Sequence, residues 1–278
     1  MTSIDLPTLL ETASQAAHAA EALLLEGRPA RVTGKGERDV VSDLDFEIER
    51  LLRATLTRAT PQYGFLGEEE GESGPAGPTR WVVDPIDGTV NYVHGLPLCG
   101  IAIALVHHGN PLLGVIHLPY LGRRYHAASG CGAWRDGQPI HAAPAEQLAD
   151  AMIAIGDYGT GPDAPERNHV ALALHAALAP SAQRVRMLGS AAVDLALVAD
   201  GTLGASLTLG NRPWDMAAGV AIAREAGAVL TDTDGTPYTS ASRTTIATAP
   251  GLTAPVHAIL RAATAGTSYS TPRENTAC

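Results

Sequence analysis

Cysteine is scarce in this sequence, and the few residues present form no recognisable pattern. The three cysteines, Cys99, Cys131 and Cys278, have neither the spacing of a metal site nor that of a disulfide framework. A chain that does not depend on disulfides is typical of a reducing compartment. The sequence therefore predicts a cytoplasmic protein.

Positive charge and long apolar runs are also in short supply. Lysine and arginine number 19 against 29 acidic residues, which gives a formal charge of −10. This balance argues against a nucleic-acid partner, because such proteins present a basic face. No apolar run reaches the length needed to span a membrane, and no basic region precedes an apolar one at the N-terminus. We therefore expect no membrane partner and no signal peptide.

The pattern of the first half indicates helices and a largely antiparallel sheet. Apolar residues at three- and four-residue steps predict a helix over Asp5–Glu26. Ser42 and Asp45 fit a capping box that opens a second helix, which Pro61 ends. The polar stretch 31–41 is expected to be a loop with some extended character, and the Gly- and Pro-rich stretch 71–78 an exposed loop.

The second half alternates strands and helices from 151 to 263, which favours a layered α/β subdomain. We predict one domain over 1–266, divided into subdomains at about 1–145 and 146–266. The polar, aperiodic stretch 267–278 is predicted to be a disordered tail.

The most informative stretch runs from Trp81 to Gly95. Trp81–Val83 is predicted to be a buried strand, and Asp84 and Asp87 follow on either side of the turn that Pro85 imposes. Gly88 lets the backbone approach a ligand closely, and a helix that begins near Thr89 would direct free N–H groups at the same place.

Two carboxylates beside an anion site suggest Mg²⁺ and a phosphate ester. The acidic composition does not oppose such a substrate, because bound Mg²⁺ reverses the local field. The alternative is an Asx-Pro turn that caps a helix, with both aspartates merely solvated.

Two further stretches carry acidic residues in suggestive places. Gly67-Glu68-Glu69 follows a short strand around Phe65, and Trp214-Asp215 opens a late helix that continues with small residues. Each is ordinary by itself, because exposed glutamates are common and acidic residues favour the first turn of a helix.

Together these stretches resemble the inositol monophosphatase family. The run Asp84-Pro85-Ile86-Asp87-Gly88-Thr89 is similar to the signature of that family, and its continuation through Asn91 and His94 resembles the inositol branch more than the nucleotide branch. The Gly-Glu-Glu and Trp-Asp stretches occur in the family's order, so the resemblance covers roughly residues 30 to 250.

The resemblance implies a layered α-β-α-β-α sandwich that forms a homodimer. It also implies two or three Mg²⁺ ions. Whether the stretch 31–41 supplies a third metal site stays open, and histidines such as His94, His107, His108 and His117 are expected to be structural, because imidazole suits a hard oxygen site poorly. The implied metal ligands are the carboxylates of Glu68, Asp84, Asp87 and Asp215 and the carbonyl of Ile86.

The resemblance also implies roles in catalysis. An Asp on the second helix, Asp45 or less favourably Asp43, would bond Thr89, and the pair would orient the attacking water. Glu68 belongs to the same catalytic set, while the amides of Gly88 and Thr89 would hold phosphate oxygens. Asp45 could instead serve only as the acidic member of the capping box.

The substrate implied is a small phosphorylated polyol, sugar or alcohol, with inositol 1-phosphate the best guess. Asp87, Asp215 and Ala191, the last in the Gly189-Ser190-Ala191-Ala192 turn, would contact it. Histidinol phosphate, fructose bisphosphate and nucleotide phosphates are alternatives, as is an interaction protein without catalysis. Thr208 stands where inositol phosphatases of the family carry a glutamate that accepts ring hydroxyls, unless Asn211 or a water fills that gap.

Overall fold

The computed structural model describes residues 4–27, 31–36 and 39–270. The N-terminal half contains, in chain order, α1 (Leu6–Glu26), β1 (Val32–Gly36), β2 (Asp39–Ser42), α2 (Asp43–Ala59), β3 (Gly64–Gly67), β4 (Gly71–Ser73), β5 (Thr79–Asp87), α3 (Thr89–Val93), β6 (Gly100–His107), β7 (Asn110–Leu118), β8 (Arg123–Ala128), β9 (Ala133–Arg135) and β10 (Gln138–Ile140). The C-terminal half contains β11 (Met152–Ile155), α4 (Ala164–Leu178), β12 (Arg184–Arg186), α5 (Ala191–Ala199), β13 (Ala205–Thr208), α6 (Pro213–Glu225), β14 (Val229–Thr231), β15 (Thr245–Thr248) and α7 (Thr253–Thr264).

Two sheets alternate with three layers of helices. The larger sheet has the order β10-β9-β8-β7-β6-β5-β3-β4, and the smaller has the order β12-β11-β13-β15-β14. Helices α1 and α2 pack on the outer face of the larger sheet, α5 and α6 lie between the sheets, and α4 and α7 cover the smaller one. This arrangement confirms the predicted α-β-α-β-α sandwich.

Strand β6 shows how the sequence encodes the layers. Ile101, Ile103 and Leu105 point to the α1–α2 side, whereas Ala102 and Ala104 point to the α5–α6 side. Because successive side chains of a strand face opposite ways, one strand serves two cores. The small residues on the inner side let α6, itself rich in alanine, pack closely on the sheet.

Two predicted loops are wrong in part. The stretch 31–41 contains an antiparallel hairpin, in which Val32 pairs with Ser42, and residues 37–38 lie outside the described part of the chain. Gly71–Ser73 pairs with β3 as an edge strand. All residues of β1 are exposed, whereas Val41 and Ser42 of β2 are buried, so β1 leaves no alternating hydrophobic pattern in the sequence.

The described part of the predicted tail is packed. Ser268–Ser270 form a 3₁₀ turn, and Tyr269 is buried, donates a hydrogen bond to the Leu209 carbonyl at 3.1 Å and lies under the Arg243 guanidinium. The remaining residues, 271–278, lie outside the described chain. The division into two subdomains stays a prediction.

Candidate active site

A β-bulge in β5 brings the two aspartates of the central stretch to one side. Asp84 pairs with Ala102 and Asp87 with Gly100, so β5 has one more residue between these pairs than β6 has. In a regular strand, residues three apart point to opposite faces. The bulged segment contains Pro85, and the extra residue changes the direction in which the Asp87 side chain points. Both aspartates therefore line the same cavity.

Gly88 closes this strand and opens a single helical turn. Its φ of 86° lies in the left-handed region, and a Cβ there would lie 2.9 Å from the Leu98 carbonyl oxygen. Both features require glycine. The predicted helix start at Thr89 is confirmed, although α3 is only one turn long.

The cavity has a volume of about 1000 Å³ and gathers most of the predicted site residues. Glu68 reaches it from the loop after β3, and Asp215 from the first turn of α6. The other predicted residues in its wall are Asp84, Ile86, Asp87, Gly88, Thr89, Ala191 and Thr208. Asp45 is completely buried behind this wall.

The buried carboxylates carry more negative charge than their surroundings compensate. Burial raises the pKa of Asp84 well above its ordinary value, and the charges of Glu68, Asp87 and Asp215 raise it further. Burial likewise raises the pKa of Asp215, with Asp87 and Glu68 adding to the effect. Such a cluster favours the binding of a cation.

Asp87 has hydrogen-bond donors that fix its orientation. Burial raises its pKa to about 6, although hydrogen bonds from Ser190 and Ala192 oppose the rise. Ser190 Oγ donates to Asp87 Oδ2 at 2.6 Å, and the Ala192 N–H donates to the same oxygen. The turn before α5 therefore contributes to the site by positioning a carboxylate, a role that the sequence did not reveal.

The chemistry of the donor set fits Mg²⁺, since hard carboxylate and carbonyl oxygens line the cavity together with no histidine or cysteine from the described residues. Within the described ranges, however, no three acidic, histidine or cysteine side chains already converge as a metal cluster. Glu68 Oε1 instead accepts a hydrogen bond from Lys35 Nζ at 3.0 Å, and Glu69 contacts the same ammonium. Lys35 therefore engages one of the two carboxylate oxygens of Glu68.

Lys35 is a site residue that the sequence did not predict. It comes from the hairpin strand β1, and its pairing with Glu69 and Glu68 raises its pKa although burial lowers it. Burial in turn raises the pKa of Glu69 to about 7, in spite of Lys35. The described part of the stretch 31–41 therefore contributes the positively charged side chain of Lys35 to this cavity.

Glu49 fixes the backbone of the acidic loop 68–70 through hydrogen bonds. It is fully buried, accepts hydrogen bonds from the N–H groups of Glu69 and Glu70 at 2.7 and 3.0 Å, and pairs with Arg53 at 2.6 Å. In the sequence, Glu49 and Arg53 have the spacing of an exposed ion pair on a helix, so nothing marks the glutamate as buried.

Asp45 serves the capping box and Thr89 with different oxygens. Its Oδ2 accepts from the N–H and the hydroxyl of Ser42, and its Oδ1 lies 3.1 Å from Thr89 Oγ1. Thr89 Oγ1 is also 3.0 Å from the Ile86 carbonyl, so its single proton has two possible acceptors. Asp43 instead accepts from the N–H of Arg31.

The cavity wall around Thr208 contains further residues that the sequence did not predict. Asp157, Arg167, Arg212 and Arg243 all line it. The side chain of Asn211 donates to the Ser242 carbonyl at 2.9 Å and accepts from Thr245 at 2.8 Å. Its amide is therefore already engaged with protein groups, which speaks against Asn211 as a substitute for the missing glutamate.

The histidines considered as possible ligands do not line this cavity. His107 bonds Thr79, His108 lies in the β6–β7 turn, and His117 bonds Glu21 under α1. No helix of the described chain is both long and apolar enough to cross a membrane.

The model of the inositol monophosphatase family matches residues 5–265. The chain belongs to the inositol monophosphatase family. Probable inositol 1-monophosphatase ImpA of Mycobacterium tuberculosis is 40% identical to it over 256 residues, which cover 91% of this chain and 93% of that protein. Fructose-1,6-bisphosphatase/inositol-1-monophosphatase of Aquifex aeolicus is 33% identical, with 82% of this chain and 86% of that protein covered.

A solved structure gives the same picture of the fold. Extragenic suppressor protein suhB of Bartonella henselae superposes with a TM-score of 0.84 at 30% identity, covering 91% of this chain and 98% of that one. Membership in this family makes the chain a phosphatase of a metal-dependent family that acts on phosphorylated sugars or polyols.

Proposed function

We propose that this member of the inositol monophosphatase family is a Mg²⁺-dependent phosphate monoester hydrolase, with inositol 1-phosphate as its best candidate substrate. The observation that carries the proposal is the convergence of Glu68, Asp84, Asp87 and Asp215 on one cavity, beside the bonded pair Thr89 and Asp45. The similar protein of Mycobacterium tuberculosis, named a probable inositol 1-monophosphatase, supports this choice of substrate.

The residues that would hold the metal are the carboxylates of Glu68, Asp84, Asp87 and Asp215 and the carbonyl of Ile86, and the proposed number is two or three ions. When bound, Mg²⁺ neutralises phosphate charge and makes a nearby water more acidic. The concentration of buried negative charge on these residues favours cation binding.

The protein's own groups position the reactants. Thr89 Oγ1 would accept a hydrogen bond from the attacking water, and the Thr89 hydroxyl proton would pass toward Asp45. These contacts would orient the water for in-line attack on phosphorus. The N–H groups of Gly88 and Thr89 would hold phosphate oxygens. The phosphorus–ester oxygen bond then breaks, and the leaving alkoxide takes up a proton to become the free alcohol. No covalent phosphoenzyme is proposed, because no separate nucleophile is needed.

Substrate choice within this class depends on the wall around Thr208. Asp87, Asp215, Ala191 and Thr208 would contact the alcohol part of the ester. Fructose bisphosphate is the next candidate, since the similar Aquifex aeolicus protein carries both activities in its name. Histidinol phosphate and nucleotide phosphates follow. An interaction protein without catalysis is disfavoured, because every ligand implied by the family is intact in this sequence.

The test is a phosphate-release screen over these esters with purified protein, with and without Mg²⁺. We expect turnover of at least one small polyol or sugar phosphate that chelation abolishes and Mg²⁺ restores. Absence of Mg²⁺-dependent release from the whole panel would contradict the proposal. The proposed homodimer is checked on the same sample by sedimentation, and the proposed cytoplasmic location by cell fractionation.

A further inference from the structure

Arg167 holds a guanidinium group in the wall of the active-site cavity. It lies near the start of α4, on an element that contributes none of the proposed metal ligands. Its side chain is only partly exposed, and the Nε atom is fully buried. The charge of Arg167 is therefore presented to the same space as the substrate.

Two glycines make room for this guanidinium. Gly159 follows β11 and Gly210 follows β13, and a Cβ at either position would overlap guanidinium nitrogens of Arg167. The two loops therefore close on a flexible side chain and hold it in one place. A long side chain fixed in this way loses rotamer entropy before any ligand arrives, which is a form of pre-organisation for binding.

The guanidinium lacks a counter-ion within the described chain. Its Nε–H has no acceptor there, and no ion pair of Arg167 is present in that part of the protein. Asp157 lines the same cavity, but burial alone raises its pKa, with no contribution from a neighbouring cation. The adjacent Glu166 accepts instead from Ser268 and pairs with Arg243.

An arginine in this state is poised for an anion. Leaving a buried N–H and a partly buried charge without a partner is unfavourable, so a ligand that supplies the partner gains binding energy. The planar fork of the guanidinium matches phosphate or carboxylate oxygens, and Arg212 and Arg243 add positive charge to the same cavity.

We propose that Arg167 binds a second anionic group, a phosphate or a carboxylate, that the substrate carries in addition to its ester phosphate. This inference rests on the proposed function, because the ester phosphate must lie at the Gly88 and Thr89 amides, beside the proposed metal ligands, for the second group to face α4. A cavity of about 1000 Å³ has room for a doubly charged sugar ester.

Matched substrates test the proposal. Fructose 1-phosphate and fructose 1,6-bisphosphate differ by a phosphate, and sorbitol 6-phosphate and 6-phosphogluconate differ by a carboxylate. In the wild type, we expect the second anion to raise kcat/KM about 10- to 100-fold, mainly through KM, as for a hydrogen-bonded charged pair. The pair with the larger gain identifies the anion.

In Arg167→Gln, the ratio of kcat/KM for the doubly charged ester to that for the singly charged ester should fall to about three or less. The kcat/KM for the singly charged esters should stay within about threefold of the wild type. Arg167→Lys should keep part of the gain, because it retains the charge without the fork. Arg184→Gln removes an exposed arginine outside the cavity and controls for the change in net charge.

A wild type that shows no gain from either second anion contradicts the proposal, as does an Arg167→Gln variant that keeps the gain. Equal loss for singly and doubly charged esters, together with a lower Tm, would mean that Arg167 only holds the two loops in place. If no ester is hydrolysed, the proposed function fails. Calorimetric binding of the same ester pairs in Mg²⁺ then still decides whether Arg167 recognises the second anion.

Discussion

Thr89 Oγ1 lies 3.1 Å from Asp45 Oδ1, and this contact joins the one-turn helix of the central stretch to the start of α2. The aspartate is completely buried, and burial raises its pKa above the ordinary value even though Ser42 and Thr89 both donate hydrogen bonds to it. A carboxylate held in this way can fix the direction of the Thr89 hydroxyl and accept a proton through it.

The first prediction tests that pair. Thr89→Ala and Asp45→Asn should each lower kcat by roughly 10²- to 10⁴-fold, the usual range for groups that position or transfer a proton. The double variant should be little worse than either single one, because the two residues act together. Steady-state kinetics on the best ester gives both values.

Ser42→Ala is the matched control for this prediction. It removes a capping hydrogen bond to Asp45 but leaves the Thr89 contact in place. We expect it to lower Tm with little change in kcat. Additive losses from Thr89→Ala and Asp45→Asn, or equal kinetic effects of Ser42→Ala and Asp45→Asn, would mean that Asp45 is only a cap.

The second prediction concerns Thr208. Threonine is short and uncharged, so one hydrogen bond from a ring hydroxyl to a charged acceptor is missing, worth about 1.5–3 kcal/mol. The wild type should therefore prefer inositol 1-phosphate over other small esters only weakly. Thr208→Glu should raise that preference about 10- to 100-fold in kcat/KM.

Thr208→Gln separates charge from size in this experiment, because it offers a longer but neutral acceptor. It should produce a smaller gain than Thr208→Glu. A wild type that already prefers inositol 1-phosphate by about a hundredfold or more would show that the missing glutamate does not limit specificity.

The third prediction concerns stability and pH. Burial lowers the pKa of His117 to about 4, although the neighbouring Glu21 raises it, and His117 Nδ1 lies 2.8 Å from Glu21 Oε2. In the unfolded chain, a histidine titrates near 6.5. The unfolded state therefore takes up this proton first as the pH falls.

The stabilising contribution of neutral His117 is fully present above about pH 6.5 and is lost as the pH falls toward 4. The loss is on the order of 3 kcal/mol. His117→Gln should accordingly be less stable than the wild type at pH 7.5, and the difference in Tm should shrink toward pH 4.5. His141→Gln, which changes an exposed histidine away from Glu21, is the control. A difference that does not depend on pH would contradict this account.

The resemblance to the inositol monophosphatase family implied the layered fold and the acidic residues of the site, whereas local patterns indicated the individual helices and strands. The alternation of large and small apolar side chains along β6 and the capping box at Ser42 can both be read from residues adjacent in the sequence. The Asp84–Asp87 spacing was visible too, but the bulge that aims both side chains at one cavity arises from pairing with β6 and cannot be read from β5 alone.

The site residues that the sequence analysis did not predict are brought to the site by contacts between distant parts of the chain. Lys35 arrives from an exposed hairpin without hydrophobic alternation, and Glu49 is buried only because the Glu69–Glu70 loop lies over it. Arg167 is placed by two glycines that are more than forty residues apart in the chain. None of these placements leaves a periodic signal in the sequence.

The central claim, a metal site built around Asp84, is tested most directly by Asp84→Asn. Its amide oxygen can still accept the Ile86 N–H that Asp84 Oδ1 accepts at 3.0 Å, and removal of one charge from the cluster relieves repulsion. The variant should therefore fold, with a Tm equal to or above that of the metal-free wild type. Its Mg²⁺-dependent phosphate release should fall by at least about 100-fold. A folded variant that keeps most of the wild-type turnover would contradict the account.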